Sequence, residues 1–221
     1  MVPQLSIALR FPDPSCANEQ GIVAYGGDLS PSRLLLAYRS GIFPWYAQGD
    51  PILWWSPDPR LILELSDFKL RRSLKKKLHK FDIRFDSAFR EVISQCARTP
   101  REGQRGSWIL PEVAEAYSTL HDMGHAHSVE AYVEGVLVGG LYGVCVGRVF
   151  CGESMFAHRS DASKVAFVHL IEHLKARGYD FIDCQVPTPH LKSLGAVEVP
   201  REFFLRRLHE ATQNSEVYAP W

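Results

Sequence analysis

The chain has 221 residues, 46% of them hydrophobic, enough to bury a sizeable core in one large domain or two modest ones. Lys plus Arg number 25 and so do Asp plus Glu, so no net charge draws the chain to nucleic acid or an anionic membrane, and any such attraction has to be local. The five cysteines (Cys16, Cys96, Cys145, Cys151, Cys184) are odd in number and form no C-x-x-C, which argues against a disulfide framework and a zinc cluster, and with no leader-like N-terminus and no apolar run of roughly 18 residues a soluble cytoplasmic protein is expected.

Prolines and aromatics crowd the first sixty residues, in FPDPS, GGDLSPSRLLLAYRSGIFPWY and PILWWSPDPR. Ser30 followed by Pro31 reads as an N-cap with proline at N1, Leu34, Leu35 and Tyr38 supply an apolar stripe, and Gly41 suits the end, so a short helix is expected among turns. From Ser66 to Lys80 the spacing of Leu70, Leu74 and Leu78 predicts a basic amphipathic helix carrying Lys69, Arg71, Arg72, Lys75, Lys76, Lys77 and Lys80. Helices are expected over Ser87–Ala97 and Pro111–Met123, with the polar loop RTPREGQRGS between them. After Ala126 the composition turns to Val and aromatics, and Glu134-Gly135 and Gly147-Arg148 mark the turns of a three-stranded antiparallel meander. A helix over Ser163–Arg177, a strand over Tyr179–Gln185, a short helix near His190–Leu194, a brief strand at Val197 and a terminal helix from Arg201 complete an α+β pattern.

HLIEH, His169 to His173, matches the H-x-x-E-H zinc pattern, but His169, Glu172 and His173 fall opposite the apolar arc of Phe167, Leu170, Ile171 and Leu174, and no third ligand is evident. The trio His121, His125 and His127 straddles a helix end and a strand start and is equally weak as a ligand set. Neither is taken as a metal site. The basic stretch holds seven of the 25 Lys and Arg with no acid between Phe68 and Lys80, so it reads as a phosphate-contacting stripe. Trp45, Trp54, Trp55 and Trp108 lie in or beside loops, where indoles stack on bases or close a core. The order of meander, helix and strand invites comparison with N-acyltransferases, yet the connection FAHRSDASK lacks the glycines that would cradle a pyrophosphate. No G-x-x-x-x-G-K-[ST] or G-x-S-x-G occurs either. An acyl donor would have to arrive already activated.

Taken together, GGDLSPSRLLLAYRSGIFPWY, PILWWSPDPR, SWILP, HSVEAYVEGVLVGGLYGV, FCGESMF, DASK and FIDCQVPTPHLKSLGA resemble the leucyl/phenylalanyl-tRNA–protein transferases, from about Gly21 to Arg201. The resemblance implies an aminoacyltransferase that moves leucine or phenylalanine, with methionine as a further donor, from aminoacyl-tRNA to the N-terminal Arg or Lys of a protein and so marks it for N-degron degradation. It implies an α+β chain with a small helical, loop-rich N-terminal domain (1–62), a link of basic helix, second helix and loop (63–110) and an acetyltransferase-like (GNAT-type) catalytic domain (111–221). No metal, cofactor or membrane is implied. Carried over by block, Asp183, Gln185 and Glu153 form the catalytic centre, Leu141, Phe150, Met155 and Ile182 the aminoacyl pocket, and Trp45 and Trp108 the stacking surface for the terminal adenosine. Strand alternation would put Asp183 and Gln185 on one side and Cys184 on the other. A catalysis-free RNA-binding module and a zinc hydrolase on His169, Glu172 and His173 are the competing readings.

Overall fold

The computed structural model describes residues 2–99, 107–213 and 221. In chain order the elements are β1 (Gln4–Leu5), β2 (Ile22–Gly26), α1 (Pro31–Arg39), β3 (Phe43–Pro44), β4 (Leu53–Trp55), β5 (Arg60–Glu64), α2 (Arg72–Lys75), β6 (Asp82–Phe85), α3 (Phe89–Arg98), α4 (Pro111–Asp122), β7 (Ala126–Val133), β8 (Val136–Val146), β9 (Val149–Ala157), α5 (Ala162–Ala176), β10 (Phe181–Gln185), α6 (Pro189–Ser193), β11 (Val197–Val199) and α7 (Arg201–Gln213). They build an α+β chain with two sheets. A small sheet runs β1-β2-β4-β3, and a seven-stranded sheet runs β11-β5-β10-β9-β8-β7-β6. Residues 100–106 of the polar loop expected between α3 and α4 lie outside the described residues.

The meander forms where its turns dictate. Glu134 and Gly135 both take positive φ, 52° and 78°, as a two-residue hairpin of matching twist requires, and Gly147, φ 56°, opens the second turn. β7, β8 and β9 are then antiparallel neighbours, and α5 carries the chain across to β10, which pairs parallel with β9. Along β8, Tyr142, Val144 and Val146 join a core with residues of α1, α3, α4 and α7, whereas Leu141 and Cys145 join one with Phe167, Leu170, Ile171 and Leu174 of α5. The large sheet is thus buried on both faces. Gly143 is required by close approach: a Cβ there would sit 2.3 Å from the Cys151 carbonyl oxygen and 2.5 Å from the Phe150 ring.

The segment expected as a link behaves differently. β5, which crosses the expected boundary at 62, pairs with β10 and β11, and β6 forms the opposite edge against β7, so residues of 63–110 supply strand and helix to the large sheet. The strands β1 to β6 are all additions to the expected pattern. Each is short and lies among proline-rich or basic residues, so period-two alternation has no room to register.

The basic amphipathic helix is also corrected. Its residues fold as single turns, a 3-10 turn at Leu65–Asp67, the four-residue α2 and a second 3-10 turn at Leu78–Lys80. Like charges at helical spacing, Arg71 with Lys75 and Arg72 with Lys76, disfavour one long helix, and the N-cap position of α2 makes no side-chain bond. The leucines still serve their apolar role. Leu74 is buried against Val165 and Val168 of α5, with Leu70 and Leu78 packed alongside. Ser30 likewise sits at the N-cap of α1 but makes no side-chain cap bond; Pro31 at N1 starts the helix without it.

Candidate active site

A cavity of about 400 Å³ opens on the α5 side of the large sheet. Phe150, Leu141, Met155 and Ile182 line it, with Phe167 and Leu170 of α5, Cys184 and Leu191 extending the apolar wall. Trp45 and Trp108 stand on the same cavity, as do Glu153 and Gln185. Eight of the nine residues assigned to catalysis, pocket and stacking therefore converge on one space, and Asp183 is the exception.

Two local irregularities aim the polar groups. On β9, Tyr142 pairs with Ser154 and Gly143 with Gly152, which leaves Glu153 as an extra residue, a β-bulge. On β10 the register against β5 breaks between Asp183 and Gln185, and Gln185 takes a left-handed backbone, φ 62°. Strict alternation would have placed Gln185 beside Asp183. Instead Ile182 and Cys184 face the cavity, Asp183 faces the other side, and the break swings Gln185 back to the cavity, where its Nε2 donates to Glu153 Oε1 at 2.7 Å.

Asp183 is held from behind. It is 1% exposed and takes a bidentate pair from Arg60, also 1% exposed, at 2.8 Å to Oδ1 and 2.6 Å to Oδ2. The guanidinium lies between the Phe43 and Phe204 rings, 4.8 and 4.4 Å from their centroids, and donates to the Gly41 carbonyl at 3.3 Å. Asp183 Oδ1 in turn accepts from the Gln185 backbone N–H at 2.9 Å. The acid therefore fixes the bend that presents Gln185 and does not reach the cavity itself.

Glu153 receives three side-chain donors. Tyr38 Oη of α1 donates to Oε1 at 2.7 Å, Tyr117 Oη of α4 to Oε2 at 3.1 Å, and Gln185 Nε2 completes the set. The two phenol oxygens also lie within hydrogen-bond distance of each other. Burial pushes the Glu153 carboxyl up to about 7, against the opposing pull of those donors and with a further push from the Asp183 charge. Burial, then the Glu153 charge, hold both phenols well above their usual value. Tyr38, Tyr117 and Arg60 escape sequence reasoning. Both tyrosines fit apolar helix stripes, and nothing local in SPDPR distinguishes Arg60 from a surface arginine.

At the mouth, Trp45 is 36% exposed and its ring lies tilted against Trp55 at 5.5 Å, while Trp55 Nε1 donates to the Trp45 carbonyl at 2.5 Å. Trp54 is core, with its Nε1 on the Gly26 carbonyl at 2.8 Å. So Trp55 props Trp45, and Trp54 belongs to packing. Of the basic residues, Lys69, Arg71, Arg72, Lys75, Lys76 and Lys80 are exposed, whereas Lys77 is paired with Asp161 at the start of α5.

The histidine motifs also resolve. His169 Nδ1 lies 3.8 Å from Glu172, but His173 is turned inward from the expected polar face, stacked on Phe85 at 4.5 Å and pushed down to about 4 by burial and then by Arg177. Among the described residues, ligand atoms of Asp86, His121 and His127 gather within 4.8 Å. His127 Nδ1 is bound to Asp86 at 2.7 Å and His121 Nδ1 to the Ala126 carbonyl at 2.8 Å, so these nitrogens already serve the fold.

Two family models match the chain: leucyl/phenylalanyl-tRNA protein transferase over residues 62–209, and the N-terminal domain of the same transferase over 27–58. The chain belongs to the leucyl/phenylalanyl-tRNA–protein transferase family. It is an aminoacyltransferase, and the family's name gives aminoacyl-tRNA as donor and a protein as acceptor. Relatives bearing that name are similar over almost their whole lengths. One from Sulfurimonas denitrificans is 61% identical, covering 97% of this chain and 94% of its own, and one from Dechloromonas aromatica is 53% identical, covering 100% and 96%. Among solved structures, a ribosomal-protein-alanine N-acetyltransferase from Brucella melitensis superposes with TM-score 0.37 at 18% identity, over 60% of this chain and 89% of its own. Glu153 and Tyr117 fall in the larger matched segment, and Tyr38 and Trp45 in the smaller.

Proposed function

We propose that the enzyme transfers leucine or phenylalanine, and methionine as a further donor, from aminoacyl-tRNA to the N-terminal Arg or Lys of an acceptor protein, marking it for N-degron degradation in the cytoplasm. The observation that carries this reading is the cavity itself, apolar in depth, with a carboxyl and an amide on one wall and two indoles beside them. The donor side chain occupies the space between Leu141, Phe150, Met155 and Ile182. The terminal adenosine stacks on Trp45 and Trp108. An apolar pocket separates side chains differing by one methylene by only about 1–3 kcal/mol, which suits a donor set of two or three amino acids.

The tRNA backbone is met by Lys69, Arg71, Arg72, Lys75, Lys76 and Lys80, and Lys77 contributes by holding Asp161 at the start of α5. The acceptor's neutral α-amine attacks the ester carbon. A C–N bond forms, the tetrahedral centre collapses, the bond to the ribose oxygen breaks, and that oxygen takes a proton relayed through the neighbouring ribose hydroxyl. Gln185 is a neutral amide and a poor base; it and Glu153 orient the reacting groups, and Asp183 orients Gln185. The ester is already activated, so the reaction draws on no nucleotide, metal or other cofactor.

The test is to mix the protein with labelled Leu-tRNA and two peptides, one beginning with Arg and one with Ala. Labelling of the Arg peptide alone is expected. Equal labelling of both, or of neither, overturns the proposal.

A further inference from the structure

Resting on that reading, we infer that Tyr38, Tyr117 and Glu153 form a closed hydrogen-bonded ring that takes up the proton released when the acceptor's α-ammonium becomes the attacking amine. Three oxygen-to-oxygen contacts join the two phenols and the carboxyl: Tyr38 to Tyr117, Tyr38 to Glu153 Oε1, and Tyr117 to Glu153 Oε2. Two hydroxyl protons can serve only two of them. With the carboxylate ionised, one contact sets two lone-pair oxygens face to face. One further proton closes the circuit, Glu153 donating to Tyr117, Tyr117 to Tyr38 and Tyr38 back to Glu153, while Gln185 Nε2 supplies its own donor at 2.7 Å. The geometry is therefore complete with the proton and functional without it, as a reversible acceptor requires.

The surroundings select the carboxyl as the site that changes charge. Tyr38 and Tyr117 are nearly or fully buried, at 2% and 0% exposure, and burial holds both phenols protonated. Glu153 stands on the cavity wall, where substrate can reach it. Around it are Tyr38 from α1, Tyr117 from α4, Tyr142 from β8, Cys151 on its own strand, and Asp183 and Gln185 from β10, with Arg60 of β5 paired to Asp183. His190, on the far wall, is pushed down by burial and then by Lys164. Burial brings the Glu153 carboxyl up to about 7, close to the ordinary α-amino value of about 7.7–8.0, so the proton moves between well-matched partners.

The step balances. The N–H bond of the ammonium breaks and its proton goes to Glu153; the amine's electron pair forms the C–N bond; the C–O bond to ribose breaks, and the second amine proton leaves with the ribose oxygen. The ring then returns its proton to water. Tyr38 and Tyr117 act through Glu153 and are positioning residues, while Glu153 is the group that meets the substrate.

The experiment measures leucyl transfer from Leu-tRNA to the Arg peptide across pH 5.5–9, on the order of the range bracketing both groups, for the parent, Tyr38→Phe and Tyr117→Phe. The carboxyl of Glu153 is titrated in parallel by ¹³C NMR of Glu-labelled protein, its signal assigned by its loss in Glu153→Gln. The ionised carboxylate is the active form. Removing one phenol withdraws a charge-assisted donor from that form, so both the acidic limb of kcat and the NMR midpoint should move up by about one pH unit in each variant, a tenfold drop in the ionised fraction. An unmoved or lowered limb in the variants, or a parent carboxyl that titrates in the ordinary glutamate range, overturns the ring. Absence of transfer by the parent at every pH would instead overturn the proposed reaction, and the titration would still report on the ring.

Discussion

Asp183→Asn removes one charge and changes almost no volume, which isolates what the Arg60 pair does. In the parent the guanidinium is 1% exposed and carries two bonds of 2.8 and 2.6 Å to the carboxylate. The asparagine can offer one oxygen to Arg60 or to the Gln185 N–H, and its amide nitrogen sets a donor against a donor. A buried cation is left without its anion, for which breaking one partner typically costs about 3–5 kcal/mol. The Phe43 and Phe204 faces lie against the guanidinium in parent and variant alike, so their attraction cancels in the difference. The net expectation is a loss of about 3–5 kcal/mol, a large share of the roughly 5–15 kcal/mol that ordinary proteins possess. Urea denaturation measures it directly, and for a chain of this size the melting midpoint should fall by roughly 6–20 °C. Replacing both partners together, Asp183→Leu with Arg60→Met, should recover most of the loss, since well-packed apolar groups can substitute for a buried pair. A single-variant loss below about 1 kcal/mol would refute the reasoning, because it would mean that the pair is effectively solvated.

Met155→Ala enlarges a half-buried part of the pocket wall, so relative kcat/KM for Leu-tRNA against Phe-tRNA should fall by roughly tenfold, the worth of the apolar surface removed; an unchanged ratio would remove Met155 from the pocket. Lys75→Glu with Lys76→Glu should weaken tRNA binding and flatten its salt dependence by about 0.9 in log–log slope for each phosphate no longer neutralised, whereas Lys77→Ala, already paired with Asp161, should leave the slope nearly unchanged; filter binding over a salt series separates the two. His173 is neutral in the folded protein down to about 4 and protonates at about 6.5 when unfolded. The unfolded chain therefore binds the extra proton between those values, and stability should fall as pH drops from 6.5 to 4. His173→Phe should remove that part of the slope in denaturation curves taken at several pH values, and an identical slope would show the ring to be solvated.

What the sequence makes legible is the part governed by local rules. The meander, α5, β10 and α7 can be read because turn glycines and apolar periodicity extend over enough residues to register. The pocket residues can be placed because they sit in blocks shared with the family, and Leu141, Phe150, Met155 and Ile182 do line one cavity. The basic segment misleads because leucines at helical spacing are also what a run of single turns packed on α5 requires. Alternation puts Asp183 on the wrong side because it assumes an unbroken strand, and the break that re-aims Gln185 has no signature in DCQ. Tyr38, Tyr117 and Arg60 act only through partners 115, 36 and 123 residues away, separations at which no local pattern carries information.

The bulge at Glu153 and the break at Gln185 have a consequence for how this site can vary. A substitution at either position changes one side chain. Phe150 and Met155 are five apart yet line the same cavity, which a regular strand forbids and the extra residue at Glu153 permits. Deleting one residue within Gly152–Ser154 would let β9 return to regular pairing with Met155 still opposite Leu141, so the apolar wall would survive while the residue that the bulge adds to it would be lost. On β10 the extra residue between Asp183 and Gln185 likewise lets the chain keep its pairing with Leu61 after the break. An insertion in either strand, by contrast, would shift every later side chain to the other face, so these two strands tolerate loss of their irregularity better than any further lengthening.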